Sequence, residues 1–130
     1  SRRGSRPASM NGARMRGRNT VIYEYRLYIA APGRMPDLNA LFRDDAMRIF
    51  KKHGMKVVGF WTPMVGNAHE LHYILAWDSL AAMEKAWKSM RADEEWIAVR
   101  KRTEANGSLV TDVRNQLWNA TDYSPTPNAV

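Results

Sequence analysis

The side chains best suited to chemistry gather between His69 and Trp77. His69-Glu70-Leu71-His72 has the residue types of a metal motif. On a strand, however, positions i and i+3 point to opposite faces. The zincin pattern also needs two residues between Glu and the second His, on a helix. No metal site is expected. His72 is the better catalytic candidate, because a neutral imidazole on a central strand can act as a base near neutral pH. The alternative is a histidine hydrogen-bonded within a subunit interface. Tyr23, Tyr25, Tyr28, Trp61, Tyr73 and Trp77 are candidates to line a cavity for a flat aromatic molecule, although aromatic residues at such positions also serve as ordinary strand and core residues.

Other chemistries are excluded. The chain has no cysteine, which removes disulfides, thiolate nucleophiles and Cys-based metal sites together. Gly59 and Gly66 are isolated, with no Gly-Lys-Ser/Thr run after either, so there is no phosphate loop. Ser79 and Ser108 fall at element ends, where capping accounts for them. No cofactor is expected.

The elements that must position these residues are legible in the hydrophobic pattern. Val21 to Ala30 alternates with period two, which is a strand. Pro32-Gly33 breaks it, and Pro36 to His53 carries Leu38, Leu41, Phe42, Ile49 and Phe50 at helical spacing. Gly54 follows the basic cluster Lys51-Lys52-His53 as a helix stop, with His53 a surface residue suited to the helix dipole. Lys56 to Thr62 and Glu70 to Trp77 are strands two and three. Asp78 or Ser79 caps a helix with Leu80, Met83, Trp87 and Met90 on one stripe. Asp93-Glu94-Glu95 starts a shorter helix, and Leu109 to Trp118 is the last strand. The order β-α-β-β-α-β, with a helical insertion, is the ferredoxin-like split βαβ pattern. Right-handed crossovers then give an antiparallel sheet of strand order 4-1-3-2 with both helices on one face, an α+β fold.

Odd positions of strands one and three are the more apolar, which assigns them to the helices. The even positions, among them Ile22, Val58, Phe60, Ile74 and Val110, then form a second face too apolar to leave in water. His72 and a polar sheet cluster of Glu24, Arg26, Asp112 and Arg114 belong to this even side. One register of strands one and four sets Glu24 opposite Arg114 and Arg26 opposite Asp112, and a slip by two residues would oppose like charges. The cluster serves either to orient a ligand near His72 or to fix register as a salt-bridge ladder.

Charge is unevenly spread. The chain carries 20 Lys+Arg against 13 Asp+Glu, a net +7. Residues 1–20 hold six of the arginines and no acid, which leaves 14 basic against 13 acidic residues over 21–130. That leader lacks an apolar h-region and the amphipathic face of a mitochondrial presequence, and reads as disordered. It interleaves no aromatic side chain for base stacking. With 45% hydrophobic and 25% charged residues, the chain as a whole has the balance of one soluble globular domain. No run reaches the ~18 apolar residues of a membrane span.

Several stretches resemble one family. Tyr23-Glu24-Tyr25-Arg26-Leu27-Tyr28 followed by Pro32-Gly33 resembles the opening strand of NIPSNAP proteins. Gly59-Phe60-Trp61-Thr62 with Gly66-Asn67 is similar to their second strand and turn. Ala76-Trp77-Asp78-Ser79-Leu80, Glu84-Lys85-Ala86-Trp87 and Ala92-Asp93-Glu94-Glu95-Trp96 resemble their third strand and paired helices, and Asn115-Gln116-Leu117 to Pro125 their ending. The resemblance covers residues 21–125, leaving 1–20 as a leader and 126–130 as a tail. It implies a dimeric α/β barrel, in which two ferredoxin-like protomers pack their open sheet faces together and cover the apolar even side. It supplies no reaction, since the wider superfamily spans cofactor-free monooxygenases, haem-degrading enzymes, isomerases and binding modules.

The expectation is therefore a cytoplasmic homodimer without a membrane partner. It binds a small hydrophobic or aromatic molecule in a cavity next to the sheet, or transforms it without a cofactor as a monooxygenase or isomerase would. The alternatives are an interaction or scaffold module without chemistry and, third, a nucleic-acid binder acting through the leader.

Overall fold

A computed structural model of the chain describes residues 21–126. The leader and the last four residues lie outside it. The elements are β1 (Ile22–Ala30), α1 (Met35–Leu41), a π-helical turn (Phe42–Ala46), α2 (Met47–Lys52), β2 (Lys56–Trp61), β3 (Glu70–Trp77), α3 (Leu80–Arg91), α4 (Glu94–Thr103) and β4 (Val110–Asn119). The sheet order is β2-β3-β1-β4, antiparallel throughout, as the β-α-β-β-α-β pattern requires. No helix among the described residues is long and apolar enough to cross a membrane.

The helices begin and end where local chemistry dictates. Ser79 Oγ accepts from the Ala82 amide at 3.0 Å, so Ser79 rather than Asp78 caps α3. Asp93 caps α4 by accepting from the Glu95 and Trp96 amides. The same carboxylate meets Lys52 Nζ and His53 Nε2, both at 2.7 Å, at the C-terminal end of α2. His53 is thus a tie between helices rather than a plain surface residue. An acid at one helix start joined to two bases at another helix end complements both dipoles. Arg48 adds a bridge to Glu95. At the far end of α4, the Arg34 guanidinium donates to the carbonyls of Thr103, Asn106 and Gly107. These ties hold α4 and its Trp96 against the α1–α2 arm.

The core lies between helices and sheet, with Leu38, Ile49, Phe50, Tyr73, Leu75 and Met90 fully buried. Phe42, on the π turn, is its aromatic hub. Its ring lies 5.2–5.6 Å from those of Phe60, Tyr73 and Tyr28. Burying each such side chain contributes about 1.5–3 kcal/mol.

The register corrects the expected assignment of faces. Glu24 stands opposite Leu75 of β3 and Leu117 of β4, and Arg26 opposite Tyr73 and Asn115. Even positions of β1 therefore pair with odd positions of both neighbours. The helix-facing side is made of Ile22, Glu24, Arg26 and Tyr28 with Leu71, Tyr73, Leu75 and Trp77. The open side carries Tyr23, Tyr25, Leu27 and Ile29 with Glu70, His72, Ile74 and Ala76. The expectation was right for β3 and inverted for β1. Phe60, opposite Tyr73, and Ile22 likewise pack against the core instead of the open face. Val110 reaches the core through a bulge at the end of the β1–β4 ladder.

The proposed ladder of charges does not form. Asp112 faces Ile29 and Arg114 faces Leu27, on the opposite side of the sheet from Glu24 and Arg26. Each pair closes along its own strand instead. Arg26 Nη1 donates to Glu24 Oε2 at 3.0 Å, and Arg114 Nε to Asp112 Oδ2 at 2.8 Å. Residues i and i+2 share a face, and a long arginine can fold back to its neighbour. Opposite charges at that spacing therefore do not specify cross-strand register.

Candidate functional site

The two sides of the sheet bring together different candidate residues. On the open side, Tyr25 Oη and His72 Nδ1 lie 2.7 Å apart, and His72 Nε2 lies 3.0 Å from Glu70 Oε1. The Tyr25 ring stacks on Trp118 at 4.9 Å with an interplanar angle of 9°. Burial and the nearby Glu70 carboxylate raise the Tyr25 phenol above its usual range, with Arg114 opposing them. Trp61 stands opposite His72, half exposed, its indole folded over Gly59. A Cβ at Gly59 would come within 2.9 Å of that ring, so only glycine lets it lie flat. Tyr23 is on the same side, opposite Trp118.

On the helix side, a second group forms around Glu24, which is 2% exposed. Its Oε1 accepts from the indole N–H groups of Trp77 and Trp87, each at 2.9 Å, while Oε2 takes Arg26. The carboxylate is saturated by donors from β1, β3 and α3. The Arg26 guanidinium lies 4.7 Å from the Trp87 ring centroid and 5.5 Å from that of Tyr28, a cation–π sandwich. Its Nη2 donates to Tyr28 Oη at 3.3 Å, and the Tyr73 hydroxyl donates to the same oxygen at 3.1 Å. Burial works against the Arg26 charge, but the Tyr73 and Tyr28 phenols and the Glu24 carboxylate outweigh it and raise its pKa. Burial pushes the Tyr73 phenol well up, so it stays protonated.

This group borders a trough between α3–α4 and β4. The main compartment, about 600 Å³, is lined by Arg26, Tyr28, Trp87, Met90, Trp96 and Arg100. An adjoining compartment of about 210 Å³ runs deeper, past Phe42 and Phe50. The trough exists because the helices cover β2, β3 and β1 and stop short of β4, whose Val113 and Leu117 stay 43% and 47% exposed. Tyr28, Tyr73 and Trp77 thus share the helix side, with Tyr28 alone of the three lining the trough, while Tyr23, Tyr25, Trp61 and His72 lie on the other side. The six aromatic candidates do not line one cavity. Among the described residues no group of three or more His, Asp or Glu side chains converges as a metal centre.

Sequence reasoning treated Trp87 as plain helix core, assigned Trp96 no site role and named none of Lys88, Arg91 and Arg100. The signal that finds them is the parity of β1. Once Glu24 faces the helices, a buried carboxylate demands donors, and the indoles of the facing helix are within reach.

A split βαβ sandwich with a trough between sheet and helices defines a ferredoxin-like α+β protein. The NIPSNAP family profile matches residues 23–125, and the chain belongs to that family. A NIPSNAP family protein from Agrobacterium tumefaciens superposes with a TM-score of 0.73 at 22% identity, covering 82% of this chain and 90% of its own. A second from the same organism, of unknown function, gives 0.73 at 23% identity, with 82% and 94% covered. A NIPSNAP-like domain protein from Burkholderia xenovorans gives 0.74 at 16% identity, with 84% and 92% covered. These likenesses establish the fold. No curated protein matches the chain.

Proposed function

We propose that this NIPSNAP protein is a homodimer that binds a small hydrophobic or aromatic molecule, or transforms it without a cofactor, in the helix-side trough. The observation that carries this is the trough itself. It has a capacity in the range of ligand sites, walls of Trp87, Trp96, Tyr28 and Phe42, and a few convergent polar groups at one end. Tyr28 is the candidate from the sequence that keeps a ligand role here. Tyr25 and His72 pass instead to the dimer face, where the open sheet side presents Ile74, Trp61 and Trp118 for a second copy.

Native mass spectrometry of the purified chain tests both parts, with dimer mass and a retained small molecule expected. Titration with the neutral aromatic 2-naphthamide, followed by tryptophan fluorescence, should saturate. Trp96→Ala should weaken that binding about tenfold or more. Absence of saturable binding of both 2-naphthamide and 2-naphthoate would refute the small-molecule function and favour a plain interaction module.

A further inference from the structure

The polar end of the trough is one-sided in its hydrogen-bonding capacity. Arginine has five N–H donors and no acceptor. Arg26 gives one to Glu24 and one to Tyr28, and its Nε lies buried with no partner among the described residues. Tyr28 Oη already accepts twice, from Arg26 and from Tyr73, so its own proton is the group left to offer. Glu24, the acid nearest to them, is saturated by Arg26 and two indoles and has little acceptor capacity to spare.

The charge of the rim points the same way. Lys88, Arg91 and Arg100 line the main compartment, with Glu84 and the spent Glu24 as its acids. Arg100 pairs with Glu104, while Lys88 and Arg91 form no salt bridge among the described residues. A neutral acceptor would match the Tyr28 donor but leave the guanidinium charge unanswered, and a cationic ligand would meet Arg26 directly. An anion receives the Tyr28 proton and faces the guanidinium. The low dielectric of the aromatic walls strengthens that attraction.

Given that the trough holds a small aromatic molecule as proposed above, we infer that its ligand is an aromatic carboxylate. The ring lies between Trp87 and Trp96, and the carboxylate sits at Tyr28 and Arg26. Arg26 is a positioning and charge-bearing group whose own place is fixed by Glu24. Tyr28 supplies the direct hydrogen bond. Lys88 and Arg91 draw the anion towards the opening, a contribution that weakens as salt screens it.

The probes are 2-naphthoate and its neutral isostere 2-naphthamide, titrated into the full chain by calorimetry at matched ionic strength. Naphthoate should bind at least tenfold more tightly. Tyr28→Phe keeps the ring and deletes only the hydroxyl. It should cut the naphthoate preference to threefold or less, because the charged acceptor loses more from the missing hydroxyl than the amide carbonyl does. The Arg-rich leader is identical in both chains, so anion binding there cannot produce that difference. The double variant Lys88→Gln/Arg91→Gln should reduce naphthoate binding severalfold at low salt and much less at high salt. Equal affinity for the two probes, or a naphthoate preference indifferent to Tyr28→Phe, overturns the carboxylate assignment and leaves the trough a neutral-ligand site. Failure of both probes to bind overturns the small-molecule function itself.

Discussion

The two sides of β1 carry similar side chains to different ends. Glu24, Arg26 and Tyr28 face the helices, and their partners come from β3 and α3 as well as from β1. Tyr25 and Leu27 face the other way, where most polar contacts join neighbours two apart on one strand: Glu70 with His72, Asp112 with Arg114, Gln116 with Trp118. A network spanning several elements forms only when the tertiary fold forms, so it specifies that fold. Contacts within a strand form wherever the strand does and leave the surface free to accept a partner. The helix side is therefore completed within the single chain, and the open side is the surface left for the proposed second copy.

Glu24→Ala is the strongest way to break that contrast. It strands a buried guanidinium and two indole N–H groups, and the expected cost is about 3–5 kcal/mol in urea unfolding. Glu70→Ala on the open side, which leaves its strand contacts exposed, should cost under about 1 kcal/mol. Equal losses would erase the distinction. Next in size, Phe60→Asp should destabilise the protein, because half-buried Phe60 packs on Tyr73 at 4.8 Å against the core. Ile74→Asp, on the open face, should instead leave the melting temperature near that of the parent at low concentration and reduce the light-scattering mass to a monomer.

Acid should act through the tie between α2 and α4. Hydrogen bonds from Lys52 and then His53 hold the Asp93 carboxyl below the ordinary 3.8. A depressed native pKa means the contribution is complete above the unfolded value and is lost as pH falls below it. Asp93→Asn keeps the helix cap but removes the charge, so it should flatten the acid limb of stability below about pH 4, measured by circular dichroism. The smallest expected effect is Tyr25→Phe, which removes one hydrogen bond to His72 and should cost about 1 kcal/mol or less.

How far the sequence carries is visible in β1 and β3. Element order, sheet order and both helix starts follow from periodicity, turn residues and caps, which are local signals. For β3 the odd positions are uniformly apolar, and face assignment follows. In β1 both faces are rich in aromatic and aliphatic side chains, so alternation marks a strand without saying which side is in. The missing information is non-local. Glu24 looks like a surface residue until Trp77 and Trp87, more than 50 residues away in sequence, arrive to satisfy it. The trough was illegible for the same reason, since it is a gap left by helices that end before β4.

The π-helical turn at Phe42–Ala46 also sets where chain length can change. An α-helix advances about 100° per residue, so losing one residue normally rotates everything downstream by that angle. In α2 such a rotation would swing Ile49 and Phe50 out of the core. A π turn already holds one residue more than the α-helical rise requires. Deleting Asp44, exposed on that turn, should let the segment relax to plain α geometry with Leu38 and Phe50 still in phase. Deleting exposed Lys51 offers no such slack. The arm thus carries one joint where a single-residue indel is tolerable, directly beside the Phe42 ring at the floor of the trough, and relatives differing by one residue there would keep the fold while reshaping that floor.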